Sequence, residues 1–198
     1  SELCSLANEL SEKRLSLKPI IESRISGLLM QLGLPNSKFK VEILQDHEPG
    51  STGIDSVSFL FSANKNVAPN EISKVASGGE LSRVMLAIKT LISNSKALPT
   101  IIFDEIDSGI SGEIADKMGS ILKDISRDMQ VINITHLPQI AAKGDHHFLV
   151  FKEDDDHQTY TRLKLLSREE RVEELAKTLS GENVTQAAVM NAEDLLSN

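Results

Sequence analysis

The pattern of hydrophobic and polar positions predicts a long first helix over residues 2–32. Its first apolar positions share an a/d-like spacing: Leu3, Leu6, Leu10, Leu17 and Ile20. The stripe then shifts to a second set: Ile21, Ile25, Leu28, Leu29 and Leu32. Such spacing is typical of an amphipathic helix, and Gly33 and Pro35 predict where it ends. Two interpretations fit the stripe, a helix packed on its own domain or the end of a coiled coil.

Strict alternation of apolar and polar residues follows the helix. It covers residues 38–45 and 54–61, with the turn-forming sequence DHEPGSTG between them. Alternation with a period of two is the signature of a half-buried strand. We therefore expect an antiparallel hairpin with a long connecting loop.

Helical and strand patterns alternate in the second half of the chain. Helical stripes cover residues 79–95 and 111–127, and short apolar runs cover residues 101–105 and 129–135. A strand, helix, strand order predicts parallel strands in one sheet, and hence an α/β fold. The remaining patterns predict a hairpin and two closing helices: strands at 147–152 and 158–166, then helices at 168–179 and 183–196.

Composition limits the classes of function. The 198 residues carry a net charge of −8, which argues against a nucleic-acid clamp, since phosphate backbones select for clustered Lys and Arg. The single cysteine, Cys4, suits a reducing compartment such as the cytoplasm. No apolar run is long enough to span a membrane. The chain opens without an initiator Met, so we expect a piece of a longer protein.

Two adjacent acids end the apolar run at 101–105. Asp104 and Glu105 would emerge at the carboxyl edge of a parallel sheet, where ligands bind in open α/β folds. We predict that Asp104 binds Mg²⁺ and that Glu105 acts as general base on an attacking water. The alternative is that the acids only cap the next helix. Asp107, in the loop beyond, is expected to face a neighbour across a dimer interface.

A second candidate is the helix start formed by Ser77, Gly78, Gly79 and Glu80. Ser77 and Glu80 have the spacing of a capping box. The two glycines leave backbone N–H groups bare at the positive end of the helix dipole, which suits a phosphate. Both interpretations can hold together.

His136 is a third candidate because it directly follows the strand predicted at 129–135. If that strand neighbours the acidic strand, His136 leaves the sheet at the same edge as Asp104 and can contact a γ-phosphate. The other four histidines show no ligand spacing and are interpreted as structural: His47, His146, His147 and His157. The chain contains no G-x-x-x-x-G-K-[ST] phosphate loop, so these candidates make half of an ATPase site.

Together these motifs resemble those of ABC-type ATPases. The segment 77–83 is similar to their signature motif and 101–105 to their Walker B strand, with Asp107 at the D-loop position and His136 at the switch-histidine position. Within that superfamily, four stretches are similar to the RecN family of bacterial SMC-like DNA-repair ATPases: 75–83, 103–112, 134–139 and 169–176.

The resemblance implies an ABC/SMC-type P-loop NTPase head, of which this chain is the C-terminal lobe with a partial parallel sheet. Residues 1–35 would end a coiled-coil arm, and residues 36–198 would form the lobe. The phosphate loop would lie in a missing N-terminal lobe of the same protein, so the strand at 129–135 should have an unpaired edge. The chain alone is not expected to hydrolyse ATP.

In the implied cycle two heads form a homodimer that sandwiches ATP and Mg²⁺, and the arms act on DNA in double-strand break repair. Ser77, Gly78, Gly79, Glu80 and Asp107 would contact nucleotide, the signature motif acting in trans. One alternative is a non-catalytic head that only dimerises, and Glu105 beside Asp104 speaks against it. Another is a different SMC or ABC enzyme, but the long helix and Glu80, where transporters carry Gln, favour the SMC side.

Overall fold

The structure is a computed structural model. It describes six stretches of the chain: residues 2–74, 78–93, 99–104, 106–154, 158–181 and 183–197. The chain divides into two compact units, Ser1–Ala97 and Leu98–Asn198. The sequence predicts a boundary between arm and lobe at residue 35, and that boundary stays a prediction.

The first unit contains a long helix, a three-stranded antiparallel sheet in the order β1-β2-β3, and a second helix. Its elements are α1 (Glu2–Gln31), β1 (Lys38–Gly50), β2 (Gly53–Ser62), β3 (Asn70–Glu71), a 3-10 turn (Ile72–Lys74) and α2 (Gly78–Ser93). The predicted helices and hairpin are confirmed. The prediction of a long loop in the hairpin was wrong. β1 continues through an irregular stretch until Gly50 pairs with Gly53. Gly53 adopts a φ of 94°, a conformation that favours glycine.

The two apolar stripes of α1 have different surroundings. In the second half Ile25 and Leu29 are buried, and they pack with Phe39, Val41 and Phe61 of the sheet in the core of this unit. The first stripe stays exposed to between 38% and 58% of its surface: Leu3, Leu6, Leu10, Leu17 and Ile20. The shift of the stripe in the sequence therefore marks the point where α1 enters the core.

A polar cluster fastens the exposed half of α1 to the hairpin. The Ser11 hydroxyl donates to Asp55 Oδ1 at 2.7 Å, and Arg14 Nη1 donates to Asp55 Oδ2 at 2.8 Å. Arg14 also donates to the Thr52 carbonyl, and Gln45 donates to the Ser11 hydroxyl. The Asp55 side chain is fully buried, and the hydrogen bonds from Arg14 and then Ser11 hold the pKa of its carboxyl below the usual value. The cluster fixes the first half of α1 on the β1–β2 hairpin.

The second unit contains one parallel strand pair, one antiparallel hairpin and four helices in its described residues. The elements are β4 (Thr100–Asp104), α3 (Gly112–Ile125), β5 (Gln130–Ile134), α4 (Pro138–Lys143), β6 (Phe148–Asp154), β7 (Thr159–Leu165), α5 (Arg168–Ser180) and α6 (Gln186–Ser197). β4 and β5 pair in parallel, as the strand, helix, strand order predicts. The short α4 was not predicted, because six residues are too few to show a helical period.

Two contacts hold α4 in place. A Cβ on Gly119 of α3 would lie 3.3 Å from the Gln139 carbonyl oxygen, so the glycine permits close approach of the two helices. Arg171 of α5 donates to the carbonyls of Ala142 and Gly144 at 3.1 and 2.7 Å, at the end of α4. This gives the RecN-like stretch 169–176 a structural role.

Apolar side chains are exposed on one face of the parallel strand pair. Ile101 and Phe103 are buried on the covered face, whereas Ile102, Ile132 and Ile134 on the other face are 58%, 44% and 52% exposed. Within the described residues β5 pairs with β4 alone, so its other edge is unpaired, as expected. The β6–β7 hairpin also exposes a set of apolar side chains: Phe148, Val150, Leu163 and Leu165. No described helix combines the length and apolar content needed to cross a membrane.

The polar cluster on α1 predicts a pH-dependent stability. Asp55→Asn should lower the melting temperature at neutral pH, because the amide loses its charge interaction with Arg14. The folded-state pKa of Asp55 lies below its usual 3.8, so the contribution is complete above that value and is lost as the pH falls through the folded pKa. The difference in melting temperature between wild type and variant should shrink below about pH 4, in thermal unfolding followed by circular dichroism.

The control is Glu9→Gln. Glu9 forms an exposed ion pair with Lys13 on the same helix, and exposed pairs contribute little to stability. The melting temperature of this variant should equal that of wild type at every pH. An Asp55→Asn variant that behaves like Glu9→Gln would show that the polar cluster does not hold α1.

The exposed strand face predicts self-association of the isolated chain. An unpaired edge beside an apolar face invites pairing with a second copy, so sedimentation velocity should show a mass that rises with concentration. Ile132→Lys should shift the chain towards monomer, whereas Val57→Lys, at a 43% exposed site on β2, should not. A wild-type chain that stays monomeric at all concentrations would contradict this.

Candidate functional site

Parallel pairing aligns the two functional loops of the second unit. Phe103 pairs with Asn133 and Asp104 pairs with Ile134, so both strands end at the same level. His136 lies in the turn that follows β5, and Asp104 is the last residue of β4. The parallel register confirms that β4 and β5 are neighbours, the condition on which the prediction for His136 depends. Glu105 lies outside the described residues.

A glycine-containing turn leads from β4 to α3. Gly109 and Gly112 both have positive φ angles, 77° and 55°, which non-glycine residues rarely adopt. Ile110 is buried, and its N–H donates to the Asp107 carbonyl at 3.3 Å. The turn therefore folds back on itself and brings the Asp107 side chain into the unit.

Asp107 is fully buried and contacts the turn after β5. Thr135 Oγ1 donates a hydrogen bond to Asp107 Oδ2, and the Leu137 N–H donates to Thr135 Oγ1 at 3.0 Å. His136 Nδ1 lies 3.9 Å from the same carboxylate oxygen. The burial of Asp107 is due to contacts within its own unit, and its predicted place at a subunit interface stays a prediction.

Thr135 is the site residue that the sequence analysis missed. It stands directly after β5 and forms the hydrogen bonds that join the two turns. One signal was available, since Val131, Asn133 and Thr135 alternate and side chains two apart share a face of a strand. A hydroxyl on the covered face, next to His136, predicts an internal hydrogen bond.

The position of Asp104 fits a magnesium ion that is held mainly by other ligands. Asp104 is exposed at the end of its strand, and no cluster of three or more ligating side chains occurs in the part of the chain that the structure describes. Magnesium usually keeps several waters and is bound by one or two carboxylates together with substrate phosphates. A single accessible carboxylate is therefore sufficient on the protein side.

The start of α2 is open to solvent. The helix begins at Gly78, which is exposed, and a Cβ at that position would meet nothing within 4 Å. The N-terminus of a helix is the end at which anions bind, and the exposed position of Gly78 leaves this end accessible. Ser77, and with it the predicted capping box, lies outside the described residues.

Arg83 holds the N-terminal end of α2 by two hydrogen bonds. Its Nε donates to the Gly79 carbonyl at 3.0 Å and its Nη1 donates to the Leu32 carbonyl at 3.2 Å. Partial burial lowers the pKa of the Arg83 guanidinium, and the nearby Glu80 carboxylate opposes that shift. The arginine side chain thereby connects the predicted signature motif to Leu32, the residue that follows α1.

His147 is a half-buried histidine at the start of the β6–β7 hairpin. Burial lowers its pKa, and the positive charge of Arg171 lowers it further, so the neutral form is favoured. Its Nδ1 is buried and has no hydrogen-bond partner in the described stretches. The prediction that it is structural stays a prediction.

Two curated relatives of the chain have the same protein name. No protein-family model matches the chain. The DNA repair protein RecN of Rickettsia felis is 44% identical over 191 residues, which cover 96% of this chain and 35% of that protein. The DNA repair protein RecN of Haemophilus influenzae is 39% identical over 98% of this chain and 35% of its own length. The chain thus spans about a third of the length of the curated relatives it matches.

Solved structures show the fold class. An Smc head domain with a coiled coil and joint from Pyrococcus yayanosii matches 88% of this chain and 28% of that chain, with a TM-score of 0.58 at 20% identity. A structure from work on ATP-driven dimerization and DNA-stimulated activation of SMC ATPases matches 82% of this chain and 93% of its own, with a TM-score of 0.54 at 21% identity. The predicted SMC-type head fold is confirmed.

Proposed function

Since the chain belongs to the RecN family, we propose that it forms one half of an ATP-hydrolysing head in a longer DNA-repair protein. The observation that carries the proposal is the register of the parallel strands. It brings the acid at the end of β4 to the same edge as the turn that holds His136. A metal-side acid and a histidine at one sheet edge suit phosphoryl transfer to water.

Each residue at this edge has one task in the proposed reaction. Asp104 holds Mg²⁺, and Glu105 accepts the proton of the attacking water. His136, 69% exposed, contacts the γ-phosphate of the substrate ATP. Mg²⁺ held by Asp104 would supply positive charge that offsets the charge of the phosphates.

The start of α2 serves the nucleotide of a second head. Ser77, Gly78 and Gly79 present backbone N–H groups to a γ-phosphate across the homodimer, and Glu80 follows them in the first turn of the same helix. The exposed Gly78, with open space around it, supports approach of a ligand from outside the chain. ATP binding then closes the dimer, and hydrolysis opens it.

The complementary half is the N-terminal lobe of the same protein, which carries the phosphate loop. Two exposed apolar surfaces support this partner, the β4–β5 face of Ile102, Ile132 and Ile134 and the apolar face of the β6–β7 hairpin. Exposed apolar patches on a soluble domain mark surfaces that another component covers. The chain also spans only about a third of its relatives' length, which leaves room for that lobe.

The exposed apolar stripe of α1 is the surface that forms the coiled-coil arm. Its a/d spacing and its exposure suit a second helix that returns along it as a coiled coil. The arms transmit opening and closing of the heads to DNA at double-strand breaks, and the protein acts on the nucleoid in the cytoplasm. The net charge of −8 argues against this chain being a nucleic-acid clamp by itself.

Glu105→Gln in the full-length protein should stop hydrolysis while ATP binding persists. The amide keeps the shape of the side chain but cannot accept the proton, and loss of a general base costs about 10²–10⁴ in rate. Phosphate release and ATP affinity are measured side by side, with Glu153→Gln on the exposed hairpin as the matched control. Normal turnover by Glu105→Gln would assign the base to another group.

Ser77→Arg should abolish hydrolysis, because the long side chain would fill the start of α2, where the γ-phosphate of the ATP bound to the opposite head would bind. ATP affinity of a monomeric head should stay unchanged, since the phosphate loop of its own protomer is untouched. Mixing Ser77→Arg protomers with protomers that lack a working phosphate loop should restore at most one competent site per dimer.

The control for this variant is Ser73→Arg, at an exposed position just before the motif, which should hydrolyse ATP normally. A fully active Ser77→Arg homodimer would leave Ser77 with only its capping role.

A further inference from the structure

The buried carboxylate of Asp107 has two unequal oxygens. Oδ2 accepts the hydrogen bond from Thr135 and faces His136 Nδ1 at 3.9 Å. Oδ1 is also buried, yet it accepts no hydrogen bond from any residue that the structure describes. Burying an oxygen without a partner costs free energy, so its presence calls for a reason beyond packing.

Thr135 makes the carboxylate part of a chain of hydrogen bonds. Its hydroxyl donates to Asp107 in the turn after β4 and accepts from the Leu137 N–H in the turn after β5. His136 lies between Thr135 and Leu137, so its backbone is fixed on both sides. The next residues enter α4, which packs against α3 at Gly119. The turn on either side of His136 is therefore held by Thr135 and, through it, by Asp107.

The charge of Asp107 adds a second effect. A distance of 3.9 Å is too long for a hydrogen bond but short enough for a charge to act on the imidazole. An amide oxygen could also accept from the Thr135 hydroxyl, although more weakly, so holding Thr135 does not by itself require a carboxylate. The negative charge favours an imidazole with its Nδ1 protonated and turned towards Asp107.

From these contacts we infer that Asp107 is a positioning residue for His136. Through Thr135 it holds the turn that carries the histidine, and through its charge it orients the ring by Nδ1, which leaves Nε2 as the nitrogen for the substrate. The inference rests on the proposed function in one respect, namely that His136 contacts the substrate. The link between Asp107, Thr135 and Leu137 is independent of it.

Hydrogen exchange in the full-length protein tests the link itself. In Thr135→Val and Asp107→Ala the amides of the peptide that contains Leu137 should exchange about fivefold faster, because one hydrogen bond contributes about 1 kcal/mol. Thr135→Ser and Asp107→Asn keep the donor and the acceptor, so their exchange should stay within about twofold of wild type. Unchanged exchange in Thr135→Val would overturn the inference, and that variant serves even where Asp107→Ala does not fold.

Kinetics test whether the link acts through His136. Asp107→Asn should lower kcat about tenfold to a hundredfold with KM for ATP nearly unchanged, because a misdirected group loses rate more than binding. In a His136→Ala background, measured by single-turnover hydrolysis, Asp107→Asn should have almost no further effect. A merely structural role would instead lower the rate equally in both backgrounds, and that result would overturn the inference.

The two proposals fail separately. A wild-type full-length protein without ATP hydrolysis would refute the proposed function, while the exchange of the Leu137 peptide would still decide whether Asp107 holds the turn. Normal hydrolysis in wild type together with a rate loss that is independent of His136 would refute the positioning role alone.

Discussion

The parallel pairing of β4 with β5 is the constraint on which the candidate site depends. A shift of the register by one residue would turn every side chain of one strand to the opposite face. In the observed register Ile101 and Phe103 enter the core and Asp104 emerges at the edge. The same register brings the two following turns close enough for Thr135 to reach Asp107. The chemistry of the edge is therefore set by backbone hydrogen bonds several residues away.

The sequence predicted the elements well where a period was long enough to read. The strand, helix, strand order and the acid at the end of β4 followed from periodicity and from the rule that parallel strands share an edge. It failed where a contact depends on three-dimensional packing. No pattern indicates that β1 continues to Gly50 or that α4 exists, and the alternation that places Thr135 on the covered face does not identify Asp107 as its partner. Those features depend on close approach between distant segments.

The exposed surfaces have one common explanation. The stripe on α1, the face of β4 and β5 and the face of the β6–β7 hairpin all expose apolar side chains that water disfavours. The polar cluster around Asp55, in contrast, is fully satisfied and fixes the first half of α1 on the β1–β2 hairpin. Exposed apolar surfaces on both units support the proposal that this chain is half of a larger head. The sequence supports it as well, because it contains the candidate acid and histidine but no phosphate-loop motif.

Reconstitution tests most directly whether the ATPase head is divided between this chain and an N-terminal lobe. The chain and the N-terminal lobe of the full-length protein would be produced separately, then assayed for ATP hydrolysis with Mg²⁺, alone and mixed. We predict that neither part hydrolyses ATP alone and that the mixture does, with the two parts eluting together from a sizing column. Turnover by this chain alone, at the rate of the mixture, would contradict the account, because it would place a complete phosphate site within these 198 residues.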